Sequence, residues 1–173
     1  MFYVFIITGV HLKIILGGGM KPGTFTQLYI QIVFAVKYRD RLLHESFRTE
    51  VFKYISGIIS NKEHKSIIVN GVSDHIHIFI GLNPKMALSN LIGEIKRNSS
   101  IFINEQKWIK GHFAWQEGYG AFSYSRLDID NVYKYILNQE KHHKRKSFKH
   151  EYLSLLKQFN IEYDEKYLFD FFE

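Results

Sequence analysis

The amino-acid sequence predicts an α+β fold, a ferredoxin-like antiparallel sheet with helices packed on one face, plus C-terminal helices. Three observations predict it. Short runs rich in β-branched and aromatic residues recur along the chain and are bounded by turn residues. Two longer segments between them carry apolar residues at three- and four-residue spacings. The resulting order, strand, helix, strand, strand, helix, strand and then helices, is the split βαβ plan.

Residues 24–36 (TFTQLYIQIVFAV) read as a long first strand. Residues 37–43 are a polar connection. Residues 44–60 set Phe47, Val51, Phe52, Ile55, Ile58 and Ile59 on one side of an amphipathic helix. After a turn over residues 61–65, strands at 66–71 and 74–82 are joined through Gly71-Val72-Ser73-Asp74, the pattern of a hairpin. Asn83-Pro84 ends the second of them. Residues 87–103 form a second amphipathic helix, with Ser89 or the preceding loop near its cap. Residues 113–124 (FAWQEGYGAFSY) give a final strand or strand pair, broken by Gly118 and Gly120. Residues 128–141 predict a third helix, with Asp128 as N-cap and Asp130 in the first turn. Residues 148–160 predict a fourth, leading into an acidic aromatic tail.

A length of 173 residues suits one domain with a real core, and 46% apolar residues argue against disorder. The net charge of +6 favours a polyanionic partner such as nucleic acid. With no cysteine, disulfides and thiolate zinc sites are excluded, so any metal must be held by His, carboxylates or amides. A cytoplasmic location fits that composition. Residues 1–19 are apolar and end in Gly17-Gly18-Gly19, directly before Met20. They have no basic n-region, are interrupted by Thr8, His11 and Lys13, and are too short to span a membrane. They read as a non-native extension, with the domain proper at residues 20–173. The other reading is an extra strand or helix packed on the domain.

The sharpest local feature is His75-Ile76-His77 within a predicted strand. Side chains alternate across a strand, so the two histidines share a face, about 7 Å apart along it. Two imidazoles so placed can converge on one divalent ion, or can be two satisfied polar groups on a solvated face. A metal site needs a further ligand. On the third helix Tyr135 and Gln139 are four residues apart and share a face. That face borders the apolar stripe of Val132 and Ile136, whereas Tyr133 lies about 200° round from Tyr135. The helix can therefore present one phenol and one amide together beside the sheet. Tyr135 can equally be a half-buried packing residue.

His-Ile-His on a strand, followed by Tyr135-Ile136-Leu137-Asn138-Gln139 on a later helix, resembles the single-tyrosine HUH transposases of the insertion-sequence 200/605 type. The likeness extends to Thr24-Phe25-Thr26-Gln27-Leu28-Tyr29, Ile95-Lys96-Arg97-Asn98-Ser99-Ser100, Trp115-Gln116-Glu117-Gly118-Tyr119-Gly120-Ala121-Phe122-Ser123 and Asn138-Gln139-Glu140-Lys141-His142-His143. It covers roughly residues 22–164. The resemblance implies that His75, His77 and Gln139 bind a divalent ion, Mg²⁺ or Mn²⁺, and that Tyr135 is the nucleophile. It also implies a homodimer, in which Tyr135 of one subunit can complete the His site of the other, acting on single-stranded DNA with hairpins.

These groups suit phosphodiester chemistry. A divalent ion can polarise a non-bridging phosphate oxygen. A tyrosine, whose ordinary pKa is near 10, can form a covalent intermediate that conserves the energy of the broken bond. The expected products are a 5′-phosphotyrosine and a free 3′-OH, and a second 3′-OH can reverse the step without ATP. The general base stays open. Asp74 can orient an imidazole or a water, or can be a turn residue. His143 can approach the same site, while His142-His143 with Lys144, Arg145 and Lys146 also reads as a basic helix end.

Lys96, Arg97, Arg39 and Arg41, with Lys144 and Arg145, are candidates for DNA contact. Trp115, Tyr119 and Phe122 can stack on bases, or fill the core. No membrane and no small-molecule substrate is expected. The competing function is a domesticated module that holds hairpin DNA or RNA without cutting it. A replication-initiator relaxase fits less well, since no second tyrosine pairs with Tyr135 on its helix face.

Overall fold

The computed structural model describes residues 25–39, 41–144 and 146–171, with the side chain of Arg39 left aside. The expected extension at residues 1–19, the start of the expected first strand at Thr24, and Arg145 lie outside the described residues. The chain forms β1 (Tyr29–Ala35), α1 (Glu45–Asn61), β2 (Lys65–Gly71), β3 (His75–Gly81), α2 (Leu88–Gln106), β4 (Gly120–Tyr124), α3 (Ile129–Leu137), α4 (Gln139–His143) and α5 (Phe148–Gln158). The four strands make one sheet in the order β2-β3-β1-β4, with every neighbouring pair antiparallel. This is the ferredoxin-like arrangement that the element order predicts.

Alternation along β3 divides its side chains between two environments. Ile76, Ile78 and Ile80 are fully buried in a core shared with Val51, Ile55 and Ile59 of α1 and Leu91, Ile92 and Ile95 of α2. His75, His77 and Phe79 point the other way. There Phe79 packs on Val132 and Ile136 of α3, and Phe148 of α5 stacks on His75 with ring centroids 4.0 Å apart. The C-terminal helices thus roof the histidine face, while α1 and α2 cover the opposite face. Sequestering the histidines requires that second layer.

Several boundaries differ from expectation. β1 begins at Tyr29, because residues 25–28 make no ladder, although the Leu28 carbonyl still accepts from Leu82 N at 2.8 Å. The region expected as a final strand pair contains β4 and an isolated bridge between Trp115 and Val36, with Gly118 at φ +77° turning the chain between them. The third helix is not continuous. It breaks at Asn138 (φ −96°, ψ 19°), and the freed carbonyls of Ile136 and Leu137 accept from Asn70 Nδ2 of β2 at 2.8 and 3.1 Å. Asp128 stands at the N-cap position of α3, but its side chain makes no cap hydrogen bond there. It belongs to a short 3₁₀ turn, where its carboxylate reaches back to Ser125 N at 3.2 Å in a capping box.

Gly71 closes the β2–β3 hairpin. A Cβ there would fall 2.7 Å from the Ile76 Cα, a backbone atom with no room to move. The hairpin therefore needs glycine at the end of β2, opposite Ile76 of the strand that carries both histidines. Among the described residues no helix is long and apolar enough to cross a membrane.

Candidate active site

β3 is central in the sheet and buried from His75 to Ile80, so His75 and His77 are held with no exposed surface. Each has a ring nitrogen fixed by a neighbour. His75 Nδ1 donates to Asp74 Oδ1 at 2.7 Å. His77 Nδ1 lies 3.0 Å from Gln31 Nε2 on β1, and Gln31 Oε1 in turn accepts from the Tyr124 hydroxyl of β4 at 2.8 Å. The β1–β3 and β1–β4 registers, Gln31 opposite both Phe79 and Phe122, put this amide beneath His77. Both Nε2 atoms remain for the site.

α3 and α4 bring the other expected residues to the same place. Despite the break at Asn138, Tyr135 and Gln139 stay on one side, and Gln139 is completely buried. The rings of Tyr135 and His77 meet edge to face at 5.9 Å between centroids. Tyr133 points elsewhere, into a surface groove with Thr49 and Asn70. His143 Nε2 donates to Gln139 Oε1 at 3.0 Å. The five residues His75, His77, Tyr135, Gln139 and His143, drawn from three elements, are thus gathered at one point.

At that point stands a residue the sequence reading missed. Glu151 of α5 is 2% exposed. Its Oε1 accepts from the Tyr135 hydroxyl and, at 2.8 Å, from Gln139 Nε2. It also lies 3.4 Å from His77 Nε2. Oε2 lies 3.5 Å from His75 Nε2 and 2.8 Å from His143 Nε2. The set of three neutral ligands expected from the sequence is therefore joined by an anion. The signal was present, since Glu151 occupies the apolar stripe of Phe148, Tyr152 and Leu155, and a carboxylate on a buried stripe needs partners.

The charges shift one another. Burial alone would favour the neutral acid, yet His77, His143 and His75 hold Glu151 far below the usual carboxylate range. Burial lowers the pKa of His77. Burial also acts to lower that of His75, but the hydrogen bond to Asp74 and the charges of Asp74 and Glu151 raise it on balance. Burial, then the charge of Glu151, push the Tyr135 phenol far above its ordinary value.

The donor set fits a divalent ion. His75 Nε2 and His77 Nε2 are buried without a hydrogen-bond partner, a costly state for polar atoms in a dry interior. Ligand atoms of His75, His143 and Glu151 all lie within 4.8 Å of one another. His75 bound through Nε2, with Nδ1–H donating to a carboxylate, has the orientation of a metal-ligating histidine.

The candidate DNA contacts fare unevenly. Arg41 and Lys144 line a surface cavity of about 1100 Å³ with Lys146, Lys149 and Arg48, next to Asp74 and His143. Arg48 there is paired to Glu140. Lys96 is not a free cation. It donates to the Gln116 and Gly118 carbonyls, lies over the Phe34 ring at 4.9 Å, and has its pKa pushed down to about 8 by burial. Lys96 therefore pins the loop before β4, and its side chain is spent on that. Arg97 is exposed but pairs with Glu94 at 2.7 Å. Trp115 and Phe122 are core residues, the former donating to Ser99 Oγ at 2.8 Å, while Tyr119 is 39% exposed.

The family model of the IS200-like transposases matches residues 24–139, from the first strand to the site amide. The chain belongs to this family. It is 28% identical over 118 residues to the transposase for insertion sequence element IS200 of Salmonella typhimurium and to that of Salmonella typhi, covering 64% of this chain and 77% of each relative. Its fold is similar to that of a candidate transposase from Deinococcus radiodurans R1, with a TM-score of 0.56 and 18% identity, over 69% of this chain and 96% of the other. It is also similar to a REP-associated tyrosine transposase solved bound to a REP hairpin, with a TM-score of 0.52 and 14% identity, over 72% of this chain and 74% of that one. In this IS200-like transposase the match ends at Gln139, so His143 and Glu151 stand beyond it.

Proposed function

We propose that this IS200-like transposase cleaves and rejoins single-stranded DNA at hairpin-marked element ends, with Tyr135 as the nucleophile and His75, His77 and Gln139 as ligands of Mg²⁺ or Mn²⁺. The observation that carries the reading is the convergence of Tyr135 and Gln139 on the buried His75–His77 pair. The solved neighbour bound to a REP hairpin supports hairpin DNA as the substrate class.

In the first step the Tyr135 oxygen bonds to phosphorus and the P–O3′ bond breaks. The leaving 3′ oxygen gains a proton and the phenol loses one, so the step consumes nothing. In the second, a 3′-OH of another strand attacks the phosphotyrosine, and Tyr135 leaves with its proton restored. Tyrosine linkage retains the phosphoester energy that hydrolysis would dissipate. A divalent ion held by the histidines supplies positive charge beside the phosphate oxygens. Asp74 and Gln31 fix the two imidazoles so that each presents Nε2. Arg41, Lys144 and Lys146 attract the strand to the cavity beside the site. The active unit is a homodimer, as the family resemblance implies.

Incubation with Mg²⁺ and labelled hairpin DNA, followed by a denaturing gel, tests the reading. A covalent adduct is expected from the wild type and from Tyr133→Phe, but not from Tyr135→Phe. DNA retention without any adduct would instead establish the non-cleaving module.

A further inference from the structure

We propose that Glu151 is itself a ligand of the divalent ion, so that α5 supplies an anionic oxygen to a site furnished only with neutral donors by residues 24–139. The inference rests on the metal-dependent reading above and extends it to a helix beyond the family match.

The spacing of the atoms supports it. Around an octahedral ion with bonds of roughly 2.1 Å, neighbouring ligand atoms lie about 3 Å apart. Glu151 Oε2 is 3.5 Å from His75 Nε2, and Oε1 is 3.4 Å from His77 Nε2. Those separations are a little wider than such an edge, and His75 Nε2 and His77 Nε2 are left without a hydrogen-bond partner, while Glu151 Oε2 meets His143 Nε2 at 2.8 Å. With its Nδ1 proton committed to Asp74, His75 in the neutral form that binds metals would aim its Nε2 lone pair at a carboxylate oxygen. Two electron-rich atoms facing each other in a dry interior repel, and a cation between them reverses the sign.

The donor chemistry agrees. Mg²⁺ and Mn²⁺ prefer oxygen, and carboxylate above all. Two imidazoles and Gln139 alone would give such an ion one neutral oxygen. Glu151 adds a carboxylate to His75 and His143, whose ligand atoms lie with its own within 4.8 Å of one another, with His77 and Gln139 alongside. The fold holds it there. Phe148, Tyr152, Leu155 and Leu156 bury the same stripe of α5, and Ser147 caps the helix. The rival role for Glu151 is counter-ion to a protonated histidine, and it predicts the opposite response to neutralisation, since removing a competing salt bridge would leave Mn²⁺ binding equal or stronger.

Calorimetric titration of the full chain with MnCl₂ tests this. Wild type should bind one Mn²⁺, Glu151→Gln should bind it more weakly by about tenfold or more, and Glu140→Gln, an exposed control, should match wild type. A second readout needs no variant. Saturating Mn²⁺ should slow amide hydrogen exchange across Phe148–Gln158 in the wild type, because the ion ties α5 to β3. Mn²⁺ affinity in Glu151→Gln equal to or tighter than wild type would overturn the proposal, as would α5 exchange in the wild type indifferent to Mn²⁺. If Mn²⁺ binds wild type but not His75→Asn while Glu151→Gln is unaffected, the metal reading stands and only the role of Glu151 falls. No Mn²⁺ binding by wild type removes both.

Discussion

The Tyr135 hydroxyl donates to the Glu151 carboxylate, which joins α3 to α5 directly above the histidine pair. The bond tethers a phenol to a buried anion, and with burial it keeps that phenol protonated. Glu151 Oε1 still accepts from Gln139 Nε2, and Oε2 stays 2.8 Å from His143 Nε2, so loss of the phenol oxygen leaves each carboxylate oxygen with a partner. Tyr135→Phe should therefore fold, at a cost of about 1 kcal/mol, while forming no DNA adduct. Urea unfolding monitored by circular dichroism gives the first quantity and a denaturing gel the second.

Gln31 is completely buried and connects His77 to Tyr124. It touches no part of the expected substrate path. Its task is to hold one imidazole at a fixed angle, and such outer partners are typically worth about 10–100-fold in metal affinity or activity. Gln31→Leu, close in volume, should lower cleavage within that range and weaken Mn²⁺ binding in parallel. Tyr124→Phe, one bond further away, should have a smaller effect on both. Equal losses in the two variants would contradict the relay.

The cations of the large cavity and those of α2 should separate in a binding assay. Arg41→Ala and Lys144→Ala should each weaken binding of a labelled single strand and flatten its dependence on salt, by about 0.7 in log–log slope for each phosphate no longer neutralised. Arg97→Ala, which removes a cation already paired with Glu94, should leave both unchanged.

Lys96 gives a pH-dependent prediction. Its two carbonyl partners would lose their donor in Lys96→Met, a cost of about 1–3 kcal/mol. Burial depresses its folded-state pKa from 10.5 to about 8. Below pH 8 the amine is charged in both folded and unfolded chains, and the full burial penalty is present. Between about pH 8 and 10.5 the folded chain releases a proton that the unfolded chain keeps, so that penalty declines and stability rises. The difference in melting temperature between wild type and Lys96→Met should move in favour of the wild type from pH 7 to pH 10.

Much of this was legible in the residues. Alternation in His75-Ile76-His77 and the four-residue step from Tyr135 to Gln139 are local periodicities, and they survive folding because β3 is central and α3 packs through Val132 and Ile136. The sheet order followed from the sequence of elements. What escaped depended on long-range contact. Nothing near Asn138 announces that Asn70 of β2 will receive the carbonyls of Ile136 and Leu137 and end the helix. Lys96 reads as a surface cation until the Gln116–Gly118 loop folds over it. Glu151 lies beyond the recognisable motifs, and only its place on an apolar stripe hinted that it turns inward.

The central claim is that one named phenol carries the DNA. Wild-type chain reacted with hairpin-bearing single-stranded DNA and Mg²⁺ can be digested with trypsin and nuclease and sequenced by tandem mass spectrometry. The account predicts a nucleotide linked through phosphate to Tyr135. The same linkage on Tyr133 or another residue, or DNA bound at the site without any covalent linkage, would contradict it.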